Sequence, residues 1–170
     1  AWYYAAVEYV NENGLMNGIA DDLFAPDDTL TRAMLVTILW RMDGEPAVNY
    51  LMSFDDVADG AWYAEAVRWA ASEGIVTGVS ESEFAPNANI TREQMAAILY
   101  RYAEYKDYDT GASGSLSAFA DASSVSAYAQ EAMAWAVGES LINGVSADTI
   151  QPQGNATRAQ VAKVLMLFCE

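Results

Sequence analysis

One segment occurs three times in this chain, and it limits the possible folds more than any other feature. Leu30-Thr31-Arg32-Ala33 returns as Ile90-Thr91-Arg92-Glu93 and again as Ala156-Thr157-Arg158-Ala159. Each arginine lies 14 positions after a glycine (Gly18, Gly78, Gly144) and six after a proline (Pro26, Pro86, Pro152). Trp2-Tyr3 matches Trp62-Tyr63 and Phe24-Ala25-Pro26 matches Phe84-Ala85-Pro86 at a shift of 60, and the third copy follows at a shift of 66. Repeats of this length are units that bury their apolar faces against one another.

Each unit is expected to be a helix, a loop of about twelve residues and a second helix. The first helices are predicted over 2–13, 61–73 and 127–139, and the second over 31–42, 91–104 and 157–168. Trp62, Ala66, Trp69 and Ala70 fall on one face at helical spacing. The column Ala6, Ala66, Ala132 is small enough for helices to meet closely, and it is expected near a common axis. Gly14 and Gly74 are expected C-caps, whereas Ser140 holds that place in the third copy and should end its helix less cleanly. Phe24, Phe84 and Ile150 read as plugs that pin the loops, and Trp40, Trp69 and Trp135 as core. The Gly/Ser/Asp-rich connector 106–117 is expected to be the most flexible stretch.

Thr31, Thr91 and Thr157 open the second helices as N-caps. Gln94 and Gln160 stand where they complete a capping box, while Met34 leaves the first copy with threonine alone. The arginine that follows is less obvious. It occupies the first helical position, where the helix dipole disfavours a cation. Two arrangements would account for it: a pairing with a nearby Asp in the fold, or presentation to an anionic ligand beside a helix N-terminus.

Composition excludes several functions. The net charge is −16, from 8 basic and 24 acidic residues, which speaks against nucleic-acid backbones and anionic membranes. No apolar run is long enough to span a membrane, so no insertion is expected. The chain has no histidine, and its one cysteine is Cys169, which removes the commonest general base and any cysteine metal cluster. No basic-then-apolar leader precedes Trp2. The Phe-x-Asp element at Phe54 and Phe119 should also precede Trp2, so the first unit is expected to lack its opening.

The ordered set Phe54-Asp55-Asp56-Val57, Trp62, Gly74-Ile75-Val76-Thr77-Gly78, Phe84-Ala85-Pro86 and Ile90-Thr91-Arg92-Glu93 resembles the S-layer homology family, nearly along the whole chain. The resemblance implies an all-α, pseudo-threefold domain over 1–170 with repeats at about 1–43 (N-terminally truncated), 54–105 and 119–170. One helix of each repeat would form a central three-helix bundle, and three prongs would leave grooves between them. It also implies a non-catalytic, monomeric module of a larger bacterial surface protein, located extracellularly at the cell wall or S-layer. Its partner would be a secondary cell-wall polysaccharide with a pyruvylated terminal sugar or, in some outer-membrane bacteria, peptidoglycan.

On that resemblance Arg32, Arg92 and Arg158 would meet the pyruvyl carboxylate, which matches a guanidinium fork. Asp56 and Asp121 would accept from sugar hydroxyls, and Trp2, Trp62 and Tyr128 would lie on the sugar's apolar face. Gly18, Gly78 and Gly144 would let the backbone come close. The expected grooves pair Arg92 with Asp121 and Tyr128, and Arg32 with Asp56 and Trp62. The Arg158 groove would be weak for want of its Asp. The arginines themselves would add little to stability. Asp55/Asp56 or Asp27/Asp28 could imitate a glycosidase pair, but neighbouring acids in turns are usually solvated or capping groups. Asp21, Asp22, Asp27 and Asp28 lack the spacing of a calcium loop, so neither metal nor cofactor is expected. A protein-binding helical array would need no cation at every first helical turn.

Overall fold

The structure, a computed structural model, describes residues 1–169. Six α-helices appear among them: α1 (Tyr4–Glu12), α2 (Arg32–Met42), α3 (Ala64–Ser72), α4 (Arg92–Tyr105), α5 (Gln130–Gly138) and α6 (Arg158–Cys169). The fold is all-α, with three helix-loop-helix repeats. The first helices start two or three residues later than their apolar pattern suggests; in the third repeat a short 3-10 turn, Ala127–Ala129, takes that place.

The threonine caps form as expected. Thr31, Thr91 and Thr157 Oγ1 each accept from the backbone N–H three residues on, at 3.2 Å. Gln94 and Gln160 return the bond to the cap's own N–H at 3.1 Å. The first helices all end in a left-handed residue: Gly14 (φ 65°), Gly74 (φ 72°) and Ser140 (φ 59°). Ser140 thus makes the same turn as the glycines, and Leu141 N–H still reaches Ala136 O at 2.8 Å. The helix end is as clean as the others, and the serine carries the strain of that conformation.

The repeats close into a ring. The second helix of each repeat packs on the first helix of the next: α2 on α3, α4 on α5, and α6 on α1. The alanine column is buried, with Ala6, Ala66 and Ala132 at most 3% exposed. Its helices take part in these three separate pairs, so the column does not form a shared seam at the axis. At the centre three extended residues pass hydrogen bonds in a circle: Ile90 N–H to Leu30 O (2.8 Å), Ala156 N–H to Ile90 O (3.0 Å) and Leu30 N–H to Ala156 O (3.3 Å). α2, α4 and α6 start from this triangle.

Each second helix also plugs its N-terminus into the next repeat. Arg32 N–H donates to Ala88 O and Ala33 N–H to Pro86 O, at 2.9 and 3.0 Å. Arg92 and Glu93 do the same to Gly154 O and Pro152 O, and Arg158 and Ala159 to Asp28 O and Pro26 O. N–H groups that a helix leaves unpaired are therefore satisfied by carbonyls of a neighbour. Phe84 and Ile150 are fully buried plugs, with Phe54 packed on Phe84 at 5.7 Å; Phe24 is half-buried. Trp69 and Trp135 lie in the core, and Trp40 is partly buried with Nε1 donating to Pro46 O at 3.0 Å. The connector expected to be flexible is docked: Gly114 N–H reaches Ala134 O at 2.7 Å, and Lys106 Nζ meets Asp43 at 2.8 Å.

The motif arginines complete the ring. Arg32 Nε donates to Phe84 O (2.9 Å), Arg92 Nε to Ile150 O (2.7 Å) and Arg158 Nε to Phe24 O (2.8 Å). Arg32 and Arg158 also stack on the rings of Phe84 and Phe24, at 4.9 and 4.7 Å. All three residues are buried. The expectation that they add little to stability is overturned, because each fills a seam and satisfies a carbonyl there. Arg92→Ala should lower stability by about 2–4 kcal/mol, read as a shifted urea midpoint. An unchanged midpoint would show the seam to be incidental.

Candidate functional site

Three grooves open between the repeats, and each draws on all three. The first holds Arg32 from repeat one, the Val76–Val79 turn and the α4 face of repeat two, and Tyr128 from repeat three; its volume is about 330 Å³. The second holds Arg92, the turn at Asn143 and Gly144 with the α6 face, and Trp2, in about 400 Å³. The third holds Arg158, the turn at Met16 and Asn17 with the α2 face, and Trp62, in about 120 Å³.

The aromatics are therefore partnered differently from the expected grooves. Tyr128 faces Arg32, Trp2 faces Arg92 and Trp62 faces Arg158. The reason is ring order: the first helix of repeat three packs on α4, which forms the far wall of the Arg32 groove. Trp2, Trp62 and Tyr128 are 64, 60 and 55% exposed, so these rings are held out to solvent and not spent on the core.

Asp56 and Asp121 line none of these grooves. Asp56 accepts from Phe84 N–H (2.9 Å) and Ala85 N–H (2.7 Å); Asp121 accepts from Ile150 N–H (3.0 Å) and Gln151 N–H (2.8 Å). Each carboxylate clamps a loop at a left-handed residue, Ala85 at φ 57° and Gln151 at φ 47°. Both sit behind the peptide whose carbonyl the motif arginine holds. Asp–Arg proximity thus survives through one peptide unit, with both acids accepting from the backbone.

The glycines are also claimed by their own turns. A Cβ on Gly78 (φ +81°) would come within 2.6 Å of Ser80 O and Glu83 O and within 2.5 Å of Phe54. A Cβ on Gly144 would meet Ser146 O and, at 3.2 Å, Phe119, and one on Gly18 would meet Ala20 O at 2.7 Å. Gly78 and Gly144 line grooves, but a tight turn already accounts for them; Gly18 lies outside the three grooves, beside Glu8, Asp21 and Asp22.

Burial lowers the pKa of Arg32, Arg92 and Arg158 from the usual arginine value. For Arg32, Tyr128 and Asp56 act against that shift and Arg101 adds to it; Asp121 offsets it for Arg92 and Asp28 for Arg158. These are charged groups short of solvent, the condition in which an anion is most strongly held. With Nε engaged, only the terminal nitrogens can serve a ligand. Arg92 and Arg158 each give one Nη2 to a loop carbonyl, of Asn143 and Asn17. Both terminal nitrogens of Arg32 lack a protein partner among the described residues.

Sequence reasoning missed a second base in every groove: Arg101 beside Arg32, Lys163 beside Arg92 and Arg41 beside Arg158. The signal was present, since Arg41 and Arg101 both follow the motif arginine by nine residues. No acidic side chain among the described residues lines any of the three grooves. Among the described residues no three acidic, cysteine or histidine side chains gather as a metal site, and no helix is long and apolar enough to cross a membrane.

The Ile150 and Gln151 N–H groups hold the Asp121 carboxyl below the usual carboxylate range. Its stabilisation is therefore full above the unfolded pKa of about 3.9 and is lost as pH falls through the lowered folded value. Asp121→Asn should flatten the acid limb of the stability–pH curve below about pH 4. An unchanged limb would remove the clamp from the account.

The S-layer homology domain model matches residues 1–33, 53–96 and 118–162. An endoglucanase of Bacillus sp. (strain KSM-635) is 35% identical over 165 residues, which is 97% of this chain and 17% of that protein. The surface-layer 125 kDa protein of Lysinibacillus sphaericus is 35% identical over 165 residues, 94% of this chain and 13% of the relative. A cellulosome-anchoring protein of Acetivibrio thermocellus is 27% identical over 108 residues, 61% of this chain and 24% of the relative. The chain spans less than a quarter of the length of each of these three relatives.

Proposed function

The chain belongs to the S-layer homology family, and from that premise we propose that it is a non-catalytic module that binds a pyruvylated secondary cell-wall polysaccharide and so anchors a larger protein. The coarser part of this, a cell-surface anchoring module at the cell wall, agrees with surface-layer and cellulosome-anchoring relatives. Two enzymes among the relatives match this chain over only 17% and 9% of their length, which supports reading the matched segment as a non-catalytic one.

One observation carries the ligand class. In a chain of net charge −16, each of three related grooves is lined, among the described residues, by bases and no acids, with an exposed aromatic ring opposite the motif arginine. A ketal-linked pyruvate brings a permanent carboxylate on a sugar ring. The carboxylate fits the free guanidinium nitrogens, and the ring's C–H face fits the indole or phenol. Distant acids repel such a ligand weakly, because salt screens them beyond about 8–10 Å.

The test is retention on purified cell-wall sacculi, with the ketal intact and after its removal by mild acid. The intact wall should retain the chain and the treated wall should not. Tyr128→Ala, at an exposed position, should weaken the Arg32 groove by about tenfold with no change in melting temperature. Equal retention on both walls would refute the ligand class.

A further inference from the structure

The second base in each groove calls for a ligand with more than one charge. Resting on the reading above, we propose that each groove takes a glycan segment with two anionic groups: the ketal carboxylate at the motif arginine, and a carboxylate or phosphate on a neighbouring sugar at the second base. The distribution of charge is the first reason. The chain has 8 basic residues, and six of them line the three grooves, two to each. The remaining two are satisfied by acids: Arg68 by Glu65 and Asp59, and Lys106 by Asp43. None of the six groove bases is in an ion pair among the described residues, although the chain carries 24 acids.

Placement is the second reason. The motif arginine comes from one repeat and the second base from the next repeat's second helix, so two like charges face one cleft from different walls. Arg101 lies near enough to Arg32 to push its pKa further down, beyond the effect of burial. Like charges held together without a counter-ion weaken the fold. Long-range steering does not account for them, since the chain's far field repels anions. One carboxylate satisfies the free nitrogens of Arg32 and leaves Arg101 without a counter-charge. A second anionic group on the adjoining sugar supplies it.

The Arg32 groove is the clearest place for the test, because both of its terminal nitrogens are free. Trp2→Ala and Trp62→Ala, at exposed positions, would first weaken the other two grooves by about tenfold each. Three synthetic disaccharides are then titrated calorimetrically: one with the ketal alone, one with a uronic acid on the second sugar, and one with a phosphate there. A doubly charged ligand should bind about tenfold tighter than the ketal alone, and the stronger of the two identifies the group. Arg101→Gln should abolish that preference and leave the singly charged ligand within about twofold. Equal binding of all three disaccharides would overturn the proposal. So would Arg101→Gln weakening the singly charged ligand as much as the others, since Arg101 would then act as general field. Failure of all three to bind the Tyr128-bearing groove would instead refute the pyruvyl-sugar reading itself.

Discussion

Three guanidinium Nε–H groups, each donating to a carbonyl of the next repeat, hold the ring at its seams. Around each lie the two first-turn N–H groups of the same helix, donating to the neighbouring proline loop. A repeat standing alone would leave these helix N-termini unpaired and its arginine without a wall. Pairing at these helix starts is therefore between units, and their stability belongs to the closed set. Loops, helix starts and groove walls all take their positions from these contacts.

The arginine has two faces, and this reconciles the alternatives that its position raised. Its Nε is structural in all three copies, while both terminal nitrogens of Arg32 are open to the groove and Arg92 and Arg158 each hold a loop carbonyl with Nη2. A cation at the first helical turn is tolerated because carbonyl oxygens of the neighbour, not an Asp and not the ligand, surround that turn. The acids that seemed suited to a sugar lie one peptide behind, fixing the carbonyl the arginine needs. On the proposed function, folding and recognition share one side chain, and the exposed aromatics and second bases are the parts left to serve recognition alone.

Much of this was legible because it is local. Thr91 with Gln94 announces a cap, Gly74 announces a helix end, and the register of Trp2, Trp62 and Tyr128 announces equivalent places. Ring order was not legible, because nothing in the repeats states which copy meets which; that is why Tyr128 was assigned to the wrong arginine. A backbone carbonyl leaves no trace in a sequence, so neither the partner of Arg32 nor that of Asp56 could be named. Arg101 was overlooked for a different reason: a lone base on a helix face reads as solvated until the opposite wall is known. Ser140 shows the converse, a substitution that looked disruptive and that the surrounding turn absorbs.

The seam between α6 and α1 differs from the other two in one respect. Connectors join repeat one to repeat two and repeat two to repeat three, whereas repeats three and one are joined by packing and hydrogen bonds. These contacts include Arg158 over Phe24 and the N–H groups of Arg158 and Ala159 donating to the Asp28 and Pro26 carbonyls. The groove built across this seam, with Arg158 on one side and the α2 face on the other, therefore keeps its width only as long as non-covalent contacts hold the two repeats together.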